Sequence, residues 1–326
     1  MTVFARISTS LGALLALLAA ADAAEVRVIA VPSPVAAIHR TANGALVETV
    51  DGRWHRIAAC PNDVICLRDT DARSDREAAP AEALPDGSVA RATAGDIRRA
   101  WYIRPTTRYA HAVLGDAVEA GGLTVETAQG MQLEFMLDAA YVFEDITPRI
   151  ADLDGDGANE VVAIRSSLSN GAAIAVYGLR EGRLRLLDAT PEIGRANRWL
   201  NVAAIADLFG IGRPVLAWVE TPHIGGTLRM ATFADERLAI RGETIAGVSN
   251  HAIGSRELGL SAVADIDGDG LADLVLPSAD RRGLVLASRD GRAEIALPGG
   301  VAHALVVVDG TIVTATTDGT LLAITP

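Results

Sequence analysis

Two short loops carry carboxylates at alternate positions, the arrangement expected of a metal site. In the stretch RIADLDGDGANEV, positions 1, 3, 5 and 9 of the loop are acidic. They are Asp152, Asp154, Asp156 and Glu160. Glycines between them permit positive φ angles, so alternate side chains can converge on one point. Because oxygen-only ligands suit Ca²⁺ better than zinc or copper, we predict a calcium site here, with the carbonyl of Ala158 at position 7 as a further ligand.

The second loop, ADIDGDGLADL, repeats the pattern. Its acidic residues are Asp265, Asp267, Asp269 and Asp273. Its position 7 is Leu271, whose carbonyl is the matching ligand. An EF-hand would need an acidic residue at position 12, where this chain has Ala163 and Leu276. Since all ligands are committed, we expect two structural calcium ions and no catalytic metal. A polar turn without metal remains the alternative, because Asp-Gly pairs also form ordinary turns.

A second group of polar residues lies in other loops and could bind a ligand. Arginine, tyrosine, tryptophan and histidine contact anionic groups, sugars or partner proteins well. The candidates are Arg104, Arg108, Tyr109, His111, Arg195, Arg198, Trp199, His223, Asn250 and His251. Loops are polar in any protein, so the alternative is that these residues form no site.

Signals of catalysis are weak. Ser166 and its neighbouring serines stand in no GxSxG context, HExxH is absent, and no glycine-rich segment matches a phosphate loop. The chain has no lysine, which excludes catalysis by a lysine nucleophile. The adjacent Glu144 and Asp145 could serve a hydrolase or lyase, but their spacing does not single them out.

The elements that must position these residues are short β-strands in a repeat. Four segments align on an aspartate that ends an apolar run: Asp96, Asp152, Asp207 and Asp265. The separations are 56, 55 and 58 residues. Each repeat contains four strand-like runs separated by turns, as in a propeller blade. We therefore predict an all-β fold, a β-propeller of about six to seven four-stranded blades with calcium loops in two of them. The segment EVRVIAV would complete the last blade and close the ring.

With these loops in phase, the chain resembles the FG-GAP or VCBS repeat proteins, whose blades are similar to those of the integrin alpha-chain propeller. The resemblance implies that the DxDxDGxxD-type loops join the first and second strands of a blade and bind Ca²⁺. It carries over to the eight acidic residues named above. In ADLFGIGRPVL, Phe209 and Ile211 replace two of the acids, so no metal is implied there. The arginine- and histidine-bearing loops then belong to the opposite face.

Composition and the N-terminus bound the class of protein. The formal net charge of −12 excludes nucleic acid and anionic membranes as favoured partners. Residues 1–23 are typical of a cleaved secretory signal, which implies export, to the periplasm in a Gram-negative host. No later run is long enough to span a membrane. In an oxidising compartment Cys60 and Cys66 would form a local disulfide.

We expect residues 24–326 to form a single propeller domain, with residues 68–88 as a solvated loop or insertion. The most direct interpretation is a secreted, monomeric, calcium-stabilised module that binds a protein or glycan and is not an enzyme. The alternative is a propeller enzyme, a polysaccharide lyase or hydrolase, that uses the arginine and histidine residues on the face opposite the calcium loops.

Overall fold

Every regular element of the described chain is a β-strand. The computed structural model describes residues 24–41, 44–61 and 64–326. No helix occurs within these ranges, and so none that could cross a lipid bilayer. The predicted signal peptide, residues 1–23, lies outside the described residues. The prediction of an all-β fold is confirmed.

The strands are short, with two to ten residues each between turns. In chain order they are β1 (Glu25–Ile29), β2 (Val35–Thr41), β3 (Gly44–Thr49), β4 (Trp54–Cys60), β5 (Val64–Asp69), β6 (Ala90–Arg91), β7 (Ile97–Thr106), β8 (Glu119–Thr127), β9 (Gln132–Met136), β10 (Tyr141–Phe143), β11 (Arg149–Ala151), β12 (Glu160–Ser167), β13 (Gly171–Arg180), β14 (Arg183–Ala189), β15 (Leu200–Ala206), β16 (Val215–Glu220), β17 (Thr227–Ala234), β18 (Arg237–Ile240), β19 (Ile245–Ala246), β20 (Ala262–Ala264), β21 (Asp273–Pro277), β22 (Gly283–Ser288), β23 (Gly291–Ala296), β24 (Val306–Val308), β25 (Thr311–Ala315) and β26 (Leu321–Thr325).

Successive strands pair antiparallel in groups of four. The groups β2–β5, β15–β18 and β20–β23 each form a meander, and β19 adds to β17 in the second of them. The groups β6–β9 and β11–β14 are joined by β10, which pairs with both β8 and β12, into one nine-stranded sheet. This is the architecture of a β-propeller. The number of blades stays a prediction, because two groups share one sheet and sheets do not map one to one onto blades.

The last sheet joins the two ends of the described chain. Strand β1 pairs antiparallel with β26, from Glu25 opposite Thr325 to Ile29 opposite Leu321. The sheet order is therefore β1-β26-β25-β24. This is the pairing that the sequence predicts for EVRVIAV. It covers the edge of β26, which would otherwise present unpaired main-chain groups.

The apolar core lies between successive sheets. One cluster of buried residues joins β2–β5 to the last sheet, a second joins the last sheet to β20–β23, and a third joins β20–β23 to β15–β18. The largest cluster continues from β15–β17 into the nine-stranded sheet. Middle strands such as β21 and β25 are buried along their whole length, because neighbouring sheets cover both faces. The outer strand β23 is mostly exposed.

The meander topology separates two faces of the molecule. Loops that join first to second strands lie at one face, which we call the acidic-loop face. Turns that join second to third strands, and the connections between groups, lie at the other, which we call the histidine face. Residues far apart in the chain are thereby collected at each face.

The segment between β5 and β6 contains most of residues 68–88, the predicted solvated loop or insertion. Most of its charged residues are exposed, but Ala83 and Leu84 are buried and the Leu84 N–H donates to the Tyr102 carbonyl. A few apolar side chains suffice to fix the segment against β7, although its composition is mainly polar. The predicted Cys60–Cys66 disulfide is confirmed and closes the β4–β5 hairpin.

Candidate functional site

The two acidic loops occupy the same place in their groups. One joins β11 to β12, and the other joins β20 to β21. In the first, carboxylate oxygens of Asp152, Asp154 and Glu160 lie within 4.8 Å of one another. In the second, oxygens of Asp265, Asp267 and Asp269 do the same. Three of the four predicted carboxylates thus converge in each loop. The fourth, Asp156 in the first loop and Asp273 in the second, is not within this distance of the other three.

Matching hydrogen bonds shape both loops. Asp152 accepts from the N–H groups of Gly155 and Gly157, at 2.7 and 3.0 Å. Asp265 accepts from Gly268 and Gly270 at 2.8 and 3.0 Å. The four glycines have φ between 79 and 89°. A Cβ would strain that conformation, so these turns require glycine.

The residue at position 9 provides the test of whether a cation fits. Glu160 is buried, and one oxygen accepts from Leu153 N–H at 3.0 Å, while Oε1 has no hydrogen-bond partner. Asp273 is buried in the same way, with one oxygen on Ile266 N–H at 2.9 Å and Oδ1 unpartnered. A buried, unpaired carboxylate oxygen is costly. Both orphan oxygens belong to predicted ligands, so the residues present fit a bound cation.

The carboxylates of each loop also repel one another. Burial, with the charges of Asp154 and Asp156, raises the pKa of Glu160 to about 7. Burial and the charges of Asp267 and Asp269 likewise raise the pKa of Asp273. A divalent cation would reverse both effects, since an opposite charge favours the ionised form.

Each acidic loop is supported by the corresponding loop of the preceding repeat, which lacks the acidic pattern. Asp96 accepts from the N–H of Asn159 at 2.7 Å, and the Asn159 amide donates to the carbonyls of Ala94 and Ile97. In the other pair, the Phe209 N–H donates to the Ala272 carbonyl at 2.9 Å. Position 8 of each acidic loop is therefore fixed by the preceding repeat. The degenerate repeats serve as supports for the two acidic loops.

At the histidine face, residues from several loops meet in one cluster. His111 follows β7, His223 lies between β16 and β17, and His251 lies in the connection to β20. His223 Nε2 lies 2.8 Å from His251 Nδ1, and the ring of Trp199 packs against both. We call Tyr109, His111, Glu144, Trp199, His223 and His251 the histidine cluster.

The hydrogen bonds fix the tautomers of the histidine pair. His251 Nε2 lies 2.9 Å from the Ser255 carbonyl, which can only accept, so His251 Nε2 carries a proton. Its Nδ1 then accepts from the Nε2–H of His223. Burial lowers the pKa of His251 to about 3 and that of His223 to about 4, with the positive charge of Arg281 acting in the same direction on both. The pair is neutral at physiological pH.

A buried glutamate anchors His111. Glu144 is fully buried and accepts from His111 Nδ1 and from the Ser166 hydroxyl, each at 2.5 Å. Its carbonyl accepts from the Trp199 indole N–H at 2.9 Å, which ties the glutamate to the histidine pair. Burial raises the pKa of Glu144, and the two side-chain hydrogen bonds oppose that change. His111 is left with Nε2 to donate or accept a proton.

Two further buried carboxylates adjoin Glu144. Asp145 accepts from Tyr102 Oη at 3.0 Å and pairs with Arg149. Burial raises the pKa of Asp145, and burial with the charges of Glu144, Asp116 and Asp145 raises the pKa of Glu119 to about 9. Glu119 is therefore protonated at neutral pH.

Several predicted ligand residues have structural roles instead. Tyr109, Trp199, Asn250 and His251 are buried, so a ligand in solvent does not meet them directly. The amides of Asn250 and Asn201 each donate to the other's main-chain carbonyl. These residues were predicted as contacts because they are polar or aromatic residues in loops, but the connections carrying them pack inward.

The arginines of the predicted set remain apart from the cluster. Arg108 caps the carbonyls of Asp138 and Tyr141, and Arg104 lies 3.8 Å from Glu134 on β9. Arg198 donates to the Asn197 carbonyl, next to the Tyr109 hydroxyl that accepts from Asn197 N–H. Arg195 is exposed on the same connection.

Glu144 and Ser166 join the cluster, and the positive charge of Arg281 acts on the histidine pair, although the sequence did not select these residues. Glu144 was visible only as half of a carboxylate pair, and Ser166 only as one of several serines. Arg281 lies in the ADRRG turn between β21 and β22, where a pair of arginines was the available signal.

A cavity of about 680 Å³ also opens at the start of several first strands. Its wall includes His39, Arg40, Arg149, Arg256 and His303. Arg40 is held by the carbonyls of Leu305, Gly259 and Ser261, and Arg256 pairs with Asp86 and Asp116. Arg40 and Arg256 therefore already have hydrogen-bond or ion-pair partners within the protein.

Comparisons with known proteins give no family. No family model matches the chain, and no curated protein matches it. Among solved structures, the exotype rhamnogalacturonan lyase YesX is similar at 16% identity and a TM-score of 0.46, over 92% of this chain and 66% of that one. A Bacillus licheniformis rhamnogalacturonan lyase PL11 is similar at 15% identity and a TM-score of 0.43, over 84% of this chain and 55% of its own.

BamB from Moraxella catarrhalis is similar at 13% identity and a TM-score of 0.36, over 89% of this chain and 81% of its own. The chain spans between half and two thirds of the length of the lyases.

Proposed function

We propose that this chain is a secreted, calcium-stabilised β-propeller of the FG-GAP or VCBS type that binds a protein or glycan through its histidine face and is not an enzyme. The observation that carries the proposal is the histidine cluster. Three histidines from three separate loops meet around Trp199 and Glu144, on the face opposite the acidic loops. The Nε2 atom of His111 and the Nδ1 atom of His223 are not used in these hydrogen bonds, so they can make hydrogen bonds to a ligand.

Calcium is the part of the proposal that concerns the other face. The residues that would hold it are the eight acidic side chains of the two loops and the carbonyls of Ala158 and Leu271. The orphan oxygens of Glu160 and Asp273 support it. The bound ion would neutralise the clustered carboxylates and fix each loop.

The two faces are joined by single strands. Glu160 begins β12 at the acidic-loop face, and Ser166, which binds Glu144, stands six residues later at the histidine face. Six residues of strand span about 20 Å. An ion at Glu160 would therefore fix one end of the strand whose other end positions the cluster.

The experiment is a binding screen with the intact protein in millimolar calcium, against arrays of glycans and secreted proteins. We expect His223→Gln to weaken binding of the recovered ligand at least tenfold. His39→Gln is the matched control, because His39 pairs with Glu48 on another sheet. A ligand that binds equally well to wild type, His223→Gln and His111→Gln would contradict the assignment of this face.

A second function, that of a polysaccharide lyase or hydrolase, is favoured by one observation. His111 donates through Nδ1 to the buried Glu144, an arrangement that orients an imidazole as a general base. The same screen separates the two functions. Cleavage products that appear with wild type and disappear with His111→Asn would establish the enzyme, whereas intact recovered ligands support the binding module.

A further inference from the structure

The cavity of about 680 Å³ lies where the first strands of several groups come together. Its wall takes residues from β2, from the start of β11, and from the segments that lead into β6, β20 and β24. We call it the central cavity. It is separate from the histidine cluster, because none of the residues of that cluster lines it.

Arg40 is exposed to the central cavity and is held by main-chain carbonyls alone. It also lines two other cavities, of about 450 and 330 Å³. Nε and Nη2 donate to the Leu305 carbonyl at 3.2 and 2.8 Å, and Nη2 also donates to the carbonyls of Gly259, at 3.1 Å, and Ser261. These carbonyls fix the guanidinium without cancelling its charge. Within the described residues Arg40 has no ion-pair partner, and Nη1 keeps its two N–H donors for a ligand.

A glutamate is fixed beside Arg40 by the same glycine. Glu257 Oε1 accepts from the Gly259 N–H at 2.6 Å, while the Gly259 carbonyl accepts from Arg40. A Cβ on Gly259 would lie 2.8 Å from Glu257 Oε1, so the arrangement requires glycine here. Burial raises the pKa of Glu257, and the Gly259 N–H and the charge of Arg40 act in the opposite direction. Arg40 and Glu257 thus line one cavity with opposite charges but form no ion pair with each other.

Most other charged groups of the wall have partners of their own. These ion pairs are Arg149 with Asp145, Arg256 with Asp86 and Asp116, and His39 with Glu48. Burial lowers the pKa of His303, so its ring is uncharged at neutral pH. Arg76 is exposed and donates to a carbonyl, so it adds one positive charge at the surface. The enclosed part of the cavity therefore offers a separated pair of opposite charges.

We propose that the central cavity binds a small zwitterion, an α-amino acid with an apolar side chain. The ligand carboxylate contacts Arg40 and the ligand ammonium contacts Glu257. An anion alone would add a second negative charge beside Glu257, and a cation alone a second positive charge beside Arg40, whereas a zwitterion pairs with both. Ile38, Ile146 and Leu258 in the wall accommodate the side chain, and the volume lies in the usual range for small-molecule sites.

The first test needs no variant of the protein. L-leucine is titrated by calorimetry into the intact protein at neutral pH, beside L-leucinamide, which lacks the carboxylate, and 4-methylpentanoate, which lacks the ammonium. We expect leucine to bind about tenfold or more tightly than either analogue, because each analogue leaves one charge of the pair without a partner. Failure of leucine to bind, or equal binding of either analogue, would overturn the proposal.

Variants then assign the two contacts. Arg40→Gln should weaken leucine binding about tenfold or more and abolish the preference for leucine over leucinamide. Glu257→Gln should do the same for the preference over 4-methylpentanoate. A merely structural role would weaken all three compounds alike. Arg76→Gln, which removes an exposed charge from the wall of the same cavity, should change the affinity less than about twofold.

Thermal melts establish that each variant is folded, and the analogue series on wild type decides the matter if Arg40→Gln is not. An equal loss in Arg76→Gln and Arg40→Gln would reduce the effect to general electrostatics and overturn the site. This inference goes beyond the proposed function, since it concerns a second site. A negative result with leucine leaves the proposal for the histidine cluster unchanged.

Discussion

At the scale of single residues, the main surprise is that the protein buries three carboxyl groups close together around Glu144. Glu119, Glu144 and Asp145 are all nearly inaccessible, and burial raises the pKa of each. Such groups rarely reveal themselves in a sequence, because a glutamate beside an apolar run is ordinary on a strand edge. Here Glu144 binds His111, and Glu144 and Asp145 both act on the pKa of Glu119.

Glu119 allows a direct test of this buried charge. Its pKa in the folded protein is about 9, against an unperturbed value of 4.5, so the native state holds a proton that the unfolded chain releases. Its contribution to stability is present below pH 4.5 and is lost as pH rises towards 9. At pH 8 we expect the free energy of unfolding of the neutral variant Glu119→Gln to exceed that of wild type by about 2 kcal/mol or more, so the variant should melt at a higher temperature. At pH 4.5 the two proteins should melt at nearly the same temperature.

Thermal melts at both pH values provide the measurement. Glu134→Gln, a half-exposed glutamate on the neighbouring β9, should show little difference from wild type at either pH. A gain in Glu119→Gln that is independent of pH would mean that Glu119 is not protonated in the native state.

At the scale of elements, hydrogen bonds from main-chain N–H groups shape the acidic loops. The aspartates at positions 1, 3 and 5 each accept N–H bonds within their own loop, and the preceding repeat braces position 8. Two buried oxygens at position 9, Glu160 Oε1 and Asp273 Oδ1, have no such bond. The ion is therefore expected to add stability to loops that hydrogen bonds also hold.

Removal of the ion should have a moderate and separable effect. At about 1 mM calcium and a dissociation constant of about 0.1 mM, mass action adds about 1.4 kcal/mol per site. We expect calcium to raise the melting temperature above that in EDTA by several degrees, and the double variant Asp154→Asn with Asp267→Asn to lose that difference.

The control for charge is Asp290→Asn with Asp309→Asn, two exposed aspartates in hairpin turns outside the acidic loops. It should keep the full response to calcium. A response that survives in the Asp154 and Asp267 variant would show that the ion binds elsewhere.

At the scale of the whole molecule, the sheet that joins the two ends of the described chain depends on one strand, β1. β1 is the only N-terminal element in the described part of the last sheet, and its Val26 packs in the cluster that joins this sheet to β20–β23. Val28, two residues on, is 66% exposed. The two valines therefore form a matched pair on one strand.

We expect Val26→Asp to cost about 2 to 3 kcal/mol, because it places a charge against an apolar interface, and Val28→Asp to cost less than about 0.5 kcal/mol. Melting temperatures and light scattering measure the effect, since a loosened β1 exposes the edge of β26 to pairing with other molecules. Similar melting temperatures for the two variants would mean that β1 does not hold the last sheet together.

The sequence by itself determined the repeat, the all-β class, the disulfide and the position of both acidic loops. Each of these follows from local features: strand periodicity, turn residues and the spacing of aspartates within one loop. The pairing of β1 with β26 was also predictable, because the last repeat had only three strands.

Tertiary structure decided everything that depends on residues from different repeats. It selected His111, His223 and His251 as neighbours, buried Tyr109, Trp199 and Asn250, and added Glu144 and Ser166 to the site. No spacing in the chain encodes these contacts, because they depend on how neighbouring sheets pack and how connections fold inward. The acidic loops could be found from sequence since their ligands are local, whereas the histidine cluster exists only once the sheets are packed together.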